Sequence, residues 1–409
     1  MVSVNKVLDV LIVWLLILLS GSILIMSLFN ETYLLSLLLL ALSIAFNRNF
    51  KKIEISGFVL ILLASIVFLS CNYIFSISTG LKDYMLLFLR FFNAALTYLV
   101  LSRRIDNFLP NIQKTLNIIC ILSLLGLITY VLFPGIGKTI HFANGYSSIT
   151  IGFFYYFHAV VEVGGVWIPR NQGLFWEPGV LAAYANFFLF LSFFYYKKRS
   201  QIILATLVII TTFSTSGLFV MALQWLFFIL RGKSLKIHYK ILICFVIFIP
   251  IAYVSYLSFK EKKEDGIKNT VTSYSLREFD LYSAAVIAWK YPLTGIGINK
   301  DTFLSERDKL PLTKLQDQAI LKDRGNSNTL FSMFYTWGVP IALLLLLCSY
   351  CQCVFTQEKM LFFLLFVLSL MTEPLLYTPF YLLIIYSGSR NIILMMFKQK
   401  NNDGKYFAK

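Results

Sequence analysis

The sequence predicts an all-α integral membrane protein of about twelve transmembrane helices with one large outer-face loop, and three observations predict it. Of the 409 residues, 58% are hydrophobic and only 14% charged, with a mean hydropathy of +0.75, more apolar surface than a water-soluble core has to fill. Runs of roughly 20 apolar residues, the length that crosses a bilayer, recur along almost the whole chain. Short basic loops separate them and fall on alternate sides, as the positive-inside rule requires. One polytopic domain, residues 1–409, is the natural unit.

Hydrophobicity places helices near 7–29, 31–46, 55–78, 83–101, 112–133, 177–196, 201–213, 215–230, 238–258, 328–348, 359–372 and 376–396. The first, Val7 to Phe29, is too long for a signal-peptide core and reads as a retained helix. Its neighbours are punctuated by Arg48, Lys51 and Lys52, by Arg103 and Arg104, by Lys197, Lys198 and Arg199, by Arg231, Lys233, Lys236 and Lys240, and by a Lys-bearing C-terminal tail. All of these land in the cytoplasm, with both termini, if the spans alternate. The net charge of +16 is thus spread over inter-helix loops and follows topology, which argues against a nucleic-acid partner.

Two longer segments, residues 134–176 and 259–327, then face outward. The second carries 12 Lys/Arg against 10 Asp/Glu and suits a structured, solvent-facing cap. The first contains an apolar stretch, Ile149 to Val161, too short to span, which reads as re-entrant or interfacial. Its aromatics, Tyr146, Phe153, Tyr155 and Trp167, suit stacking on sugar faces and interfacial anchoring equally. The short spans from Gln201 to Leu230 are interrupted by Ser214-Thr215-Ser216-Gly217, the polar tip of a hairpin whose backbone has to be buried in protein or meet water. All six cysteines lie in or beside apolar spans; Cys348-x-x-Cys351 has no second pair and no nearby His, so helix packing explains it. His141, His158 and His238 show no metal-ligand spacing, and no metal or cofactor is expected.

Four places carry potential chemistry. Arg170-Asn171-Gln172-Gly173-Leu174-Phe175-Trp176-Glu177-Pro178-Gly179 leads from the first outer loop into a helix; Glu-Pro is a helix start, and a plain N-terminal cap is the simple alternative. Arg277 precedes an amphipathic stretch and the turn Tyr291-Pro292-Leu293-Thr294-Gly295-Ile296-Gly297-Ile298-Asn299. Asn326-Ser327-Asn328 opens the segment that ends at Trp337-Gly338-Val339-Pro340. Arg90, in Leu87-Phe88-Leu89-Arg90-Phe91-Phe92, is an intramembrane cation suited to a carrier phosphate, unless it snorkels to the surface. Glu373-Pro374 reads as a further cap.

Taken in order, these residues resemble the Wzy polymerase and O-antigen ligase superfamily of lipid-linked glycan transferases, over roughly Arg170 to Pro340. The resemblance implies a GT-C-like polytopic glycosyltransferase of the bacterial inner membrane. It would transfer a growing glycan from polyprenyl pyrophosphate to a lipid-linked repeat unit on the outer face. Arg170 and Arg277 would hold the pyrophosphate, because guanidinium forks bind such oxygens bidentately and stabilise charge on the leaving group. Glu177 would be the general base, its pKa raised by partial burial, or would orient Arg170 through a salt bridge. Gly173, Arg90, Gly295, Gly297 and Asn328 would line the substrate site. Expected partners are the lipid-linked oligosaccharide, membrane lipid, a flippase and a chain-length regulator. The family's ligases carry His-Asn where this chain has Ser327-Asn328, a departure that favours polymerase over ligase; a lipid-linked-oligosaccharide transporter is the reading from another class. The chain has no D-x-D, P-loop or nucleotide-binding glycine pattern, which argues against a soluble nucleotide-sugar donor.

Overall fold

A computed structural model describes residues 4–23, 25, 29–46, 52–78, 80–141, 147–152, 155–157, 160–163, 166–231, 273–310, 326 and 328–406. The predicted span 238–258 and much of the loop 259–327 lie outside these residues, as do Arg48, Lys51, Lys233, Lys236, Lys240, Tyr146, Phe153, His158, His238 and Ser327.

The described chain is mostly helical. Helices α1 (Val4–Leu18), α2 (Phe29–Phe46), α3 (Lys52–Phe75), α4 (Leu81–Leu101) and α5 (Ile105–Leu132) precede a strand-bearing segment. Helix α6 (Pro178–Phe190) continues as a π-helical turn to Tyr196, and α7 (Arg199–Thr211) and α8 (Thr215–Arg231) follow as a hairpin. After them come α9 (Ser273–Lys290), α10 (Lys300–Arg307), α11 (Thr329–Trp337), α12 (Val339–Tyr350), α13 (Lys359–Thr372) and α14 (Pro379–Tyr406). Among the described residues, four stretches are long and apolar enough to cross a membrane: Glu54–Phe75, Leu81–Arg104, Asp106–Leu132 and Pro178–Tyr196. Five shorter apolar helices accompany them, so the protein is an integral membrane protein by composition and helix length.

Three expectations are corrected. The first apolar run does not continue to residue 29: α1 stops at Leu18, and Ser20-Gly21-Ser22 leaves the helix, Ser22 bridging to Phe175. Gly21, at φ +156°, can follow this path because it has no side chain; one there would press on Val180 and Phe175. The expected span 328–348 is two helices, broken where Gly338 adopts φ +77°. The aromatic reading of the first outer loop changes for Tyr155, because the described part of that loop is built of strands. Its β-branched and aromatic residues form antiparallel strands: β1 (Lys138–His141), β2 (Ser147–Ile151) and β3 (Tyr155–Phe157) in one sheet, β4 (Val160–Val163) and β5 (Val166–Pro169) in another. Tyr155 is buried against Gly126 of α5, a packing contact and not an exposed sugar-stacking ring.

Helix α6 is almost wholly buried at the centre, while α3 turns Val59, Leu63, Val67, Ile74 and Phe75 outward as a lipid-facing belt. Between helices in lipid, close packing and hydrogen bonds replace the hydrophobic drive. Asn93 accordingly donates to Ser36 Oγ (2.9 Å), Gln224 to Asn186 Oδ1 (2.8 Å) and Tyr381 to Ser369 Oγ (2.8 Å). The basic loops meet at one end. Arg104 pairs with buried Asp9 (2.8 Å) and Arg103 with Glu54 (3.4 Å), Gln113 contacts Gln201 beside Lys197–Arg199, Gln357 N donates to Tyr195 Oη, and Arg231 pairs with Glu358.

Candidate functional site

At the opposite end the helix starts and breaks enclose a cavity of about 290 Å³. Its cations are Arg90 and Lys300; its remaining described lining is aromatic, amide, hydroxyl or apolar, with no carboxylate. Arg90 sits nine residues into α4, roughly 14 Å along the helix from its start and roughly 20 Å from the basic end at Arg103. It is therefore held inside the bundle, with the Tyr33 hydroxyl of α2 in hydrogen-bonding contact with its guanidinium. Two positive charges on a low-dielectric wall focus a field for anions.

Lys300 arrives at the cavity through backbone chemistry that depends on glycine. Gly295 and Gly297 adopt φ +67° and +88° and let the turn lie directly on the end of α11. Ile296 N donates to Tyr335 O (2.7 Å), Gly297 N to Thr336 O (3.1 Å), and Val339 N to Pro292 O (2.7 Å) across the α11–α12 break. Asn72 of α3 donates to Thr294 O (2.8 Å). The turn then delivers Asn299 as the N-cap of α10, its Oδ1 accepting from Thr302 N (3.1 Å) while its Nδ2 donates to Asp83 (2.8 Å). Asn299 and Lys300 both line the cavity. The two glycines thus build the site from outside it.

The segment from Asn326 works similarly. Asn328 is the N-cap of α11, accepting from Phe331 N (3.1 Å), and its own N–H donates to Asn326 Oδ1 (2.7 Å). Asn326 and Thr329 line the cavity, and Asn328 does not. The Arg170–Gly179 segment contributes Trp176, threaded against the break in α1: Ile23 N donates to Leu174 O (3.0 Å) and Trp176 N to Gly21 O (3.1 Å). Gly173, at φ +57° and buried, gives the turn its shape under Ser123.

Arg170 is placed elsewhere than the cavity lining. Its Nε donates to Thr212 O (3.0 Å) and its Nη2 to Phe213 O (3.4 Å), a cationic cap on the carbonyl end of α7 just before the Ser214–Gly217 tip. Glu177 is exposed, the N-cap residue of α6 with no side-chain cap bond, so the partial burial expected of it is not found. The carboxylate packed at the start of α6 is instead that of buried Glu373, whose Oε1 lies so close to Gly179 that a methyl group there would overlap it. Thr329 Oγ1 donates to Glu373 O (2.8 Å), tying that carboxylate's backbone to the cavity wall. Arg277 lies in α9, and its side chain is outside the described residues.

Arg90 is the sequence-predicted cation that the fold brings to the cavity; Lys300, Tyr33 and Tyr377 were missed. The signal for Lys300 was present, since a glycine-rich turn ending in an Asn N-cap presents the next residue at a fixed place. Tyr33 and Tyr377 sit in apolar surroundings with no local mark.

Residues 201–347, from α7 through most of α12, match the family model described as O-antigen ligase. No match is found among curated proteins. The matched segment includes the hairpin tip, the glycine turn and α11, the elements that present Lys300 and Thr329 to the cavity, so this part of the chain is similar to the O-antigen ligase family.

Proposed function

We propose that the chain is a polysaccharide polymerase that moves a growing glycan from polyprenyl pyrophosphate to a lipid-linked repeat unit at the outer face of the bacterial inner membrane. The observation that carries this reading is the pairing of Arg90 and Lys300 in one cavity reached from the end opposite the basic loops. About twelve spans, with the basic end cytoplasmic, put that cavity at the outer leaflet, where the carrier's phosphates lie. The arginine fork and the lysine point charge together bind the pyrophosphate and stabilise the charge that appears as the sugar–phosphate bond breaks.

The acceptor hydroxyl forms the new glycosidic bond and gives its proton to Glu177, the exposed carboxylate directly after cavity-lining Trp176; polyprenyl pyrophosphate leaves. Asn299 and Asn326 hold sugar hydroxyls. Arg170 positions the loop by capping α7. A flippase supplies the lipid-linked repeat, and a chain-length regulator limits the product.

The family description favours a second reading, transfer of the finished glycan to a different lipid or protein acceptor. Ser327-Asn328 in place of His-Asn weighs against it. Purified protein incubated with the host's polyprenyl-pyrophosphate oligosaccharide, without nucleotide sugar, separates the two. Polymerisation gives a ladder spaced by whole repeats; absence of a ladder with the genuine repeat, and a single transfer product when a lipid acceptor is added, overturns the polymerase reading.

A further inference from the structure

Helix α9 has two faces, and among the described residues only one is packed against the protein. Phe279, Ser283, Ala284 and Ile287 are buried, with Ala284 and Ile287 in a small core shared with Ile296, Phe303 and Tyr335. On the other face Leu281, Ala285 and Trp289 follow one another at i, i+4 and i+8, with Tyr282 beside them. All are exposed. Trp289 is 88% exposed, and Leu293 in the turn beyond it 74%. The polar edge of the same helix holds Lys290, whose Nζ reaches Glu306 (2.8 Å) and lies 5.0 Å from the Tyr291 ring centroid.

The position of this face identifies what covers it. The Asn72–Thr294 hydrogen bond fixes the turn to the last helical turn of α3, and Gly297 lies against Ser76 and Ser78 just beyond it. That end of α3 and the start of α4 expose Ile74, Phe75, Ile77, Leu81 and Met85. Leu293, adjacent to Thr294, therefore prolongs the lipid-facing belt of two membrane-length helices onto the apolar stripe of α9. Trp at the edge of such a belt, with a lysine beside it, is the composition of the headgroup level of a bilayer.

We infer that α9 is an interfacial helix: its Leu281–Ala285–Trp289 stripe and Leu293 lie in the headgroup–acyl boundary of the leaflet facing the cavity. The occupant of this face is the bilayer surface. The arrangement holds α10, and with it Lys300, at the depth of lipid phosphates, so a carrier diffusing in the leaflet meets the cavity without its headgroup leaving the interface. The placement of α9 rests on the membrane embedding of α3 and α4, and only the carrier's approach rests on the reaction proposed above.

The test compares tryptophan fluorescence of the full-length protein and its Trp289→Phe variant in liposomes of phosphatidylcholine, or of phosphatidylcholine brominated near the headgroup or near the chain terminus. The difference signal, which reports Trp289, is expected to be quenched at least two-fold more by shallow than by deep bromines and to resist aqueous iodide. Quenching by iodide and not by bromine would place the helix in water and overturn the inference. Resistance to both would show protein on this face, a second copy included, and would overturn it equally. Leu293→Trp in the Trp289→Phe background supplies an independent reporter with the same expected pattern, and it decides the matter if Trp289→Phe alone folds poorly.

Discussion

Gly297→Ala perturbs the site from outside, since the added methyl group meets no cavity-lining side chain. Gly297 has φ +88°, and an added methyl group would overlap Ser78 Cβ and come within 2.7 Å of both Ser76 Oγ and Tyr84 Oη. The left-handed backbone costs a non-glycine residue roughly 1–2 kcal/mol. Overpacking a filled contact adds roughly 1–3 kcal/mol. The turn that holds Asn299 and Lys300 is thus weakened by about 2–5 kcal/mol, a shift of at least roughly 30-fold in its docked fraction. The assay is thermal unfolding of the detergent-solubilised protein beside polymer synthesis in membranes. Gly57→Ala, in α3 where nothing lies within 4 Å, is the control and is expected to leave stability unchanged or slightly higher. Equal melting and equal polymer in Gly297→Ala and the control would refute the claim that this glycine docks the turn.

Other variants probe the remaining supports. Arg170→Ala removes charge-assisted hydrogen bonds to the end of α7, and a stability loss of about 1.5–3 kcal/mol is expected in thermal melts; unaltered melting with lost activity would instead make Arg170 a substrate ligand. Gly179→Ala drives a methyl group into the Glu373 carboxylate, so it lowers the melting temperature, and adding Glu373→Ala recovers part of the loss in a double-mutant cycle. Glu306 is buried, which alone raises its pKa, but hydrogen bonds from Lys290, Lys309 and Tyr291 outweigh this and hold its carboxyl below the usual glutamate range. A depressed folded pKa contributes stability that is present above the unfolded value, near ~4.3, and lost as pH falls through the folded one. Limited proteolysis near α10 is expected to quicken below about pH 4, and Glu306→Gln to abolish that dependence; an unchanged acid response in the variant contradicts this assignment.

Much of this fold was legible because apolar run length is a strong signal: the helices expected at 55–78, 83–101, 177–196 and 359–372 appear within a few residues as α3, α4, α6 with its π-helical turn, and α13. The polar Ser214–Gly217 tip also marked the α7–α8 hairpin correctly. What hydropathy missed are tertiary choices inside apolar runs. The break at Gly21 depends on Phe175 and Val180, and the break at Gly338 on the carbonyl of Leu293, all far away in sequence. The strands from Lys138 to Pro169 have a β-branched composition that a search for helical spans overlooks. At the site, the glycine turn was visible as a turn, and Arg90 as a misplaced cation. Glu177 stood out by its Pro neighbour, yet the carboxylate at the start of α6 belongs to Glu373, 196 positions along the chain, a pairing that only the fold creates.

The central claim is that Arg90 and Lys300 hold the pyrophosphate of the donor. Its most direct measurement is polymer synthesis by purified Arg90→Ala and Lys300→Ala proteins in liposomes, with polyprenyl-pyrophosphate oligosaccharide as the sole substrate and thermal melts confirming that each variant is folded. The account predicts a ladder of whole repeats from the unaltered protein and a loss of at least ten-fold in product from each variant, with Arg90→Lys recovering only part of it because a point charge replaces a fork. A full ladder from folded Arg90→Ala and Lys300→Ala would contradict it.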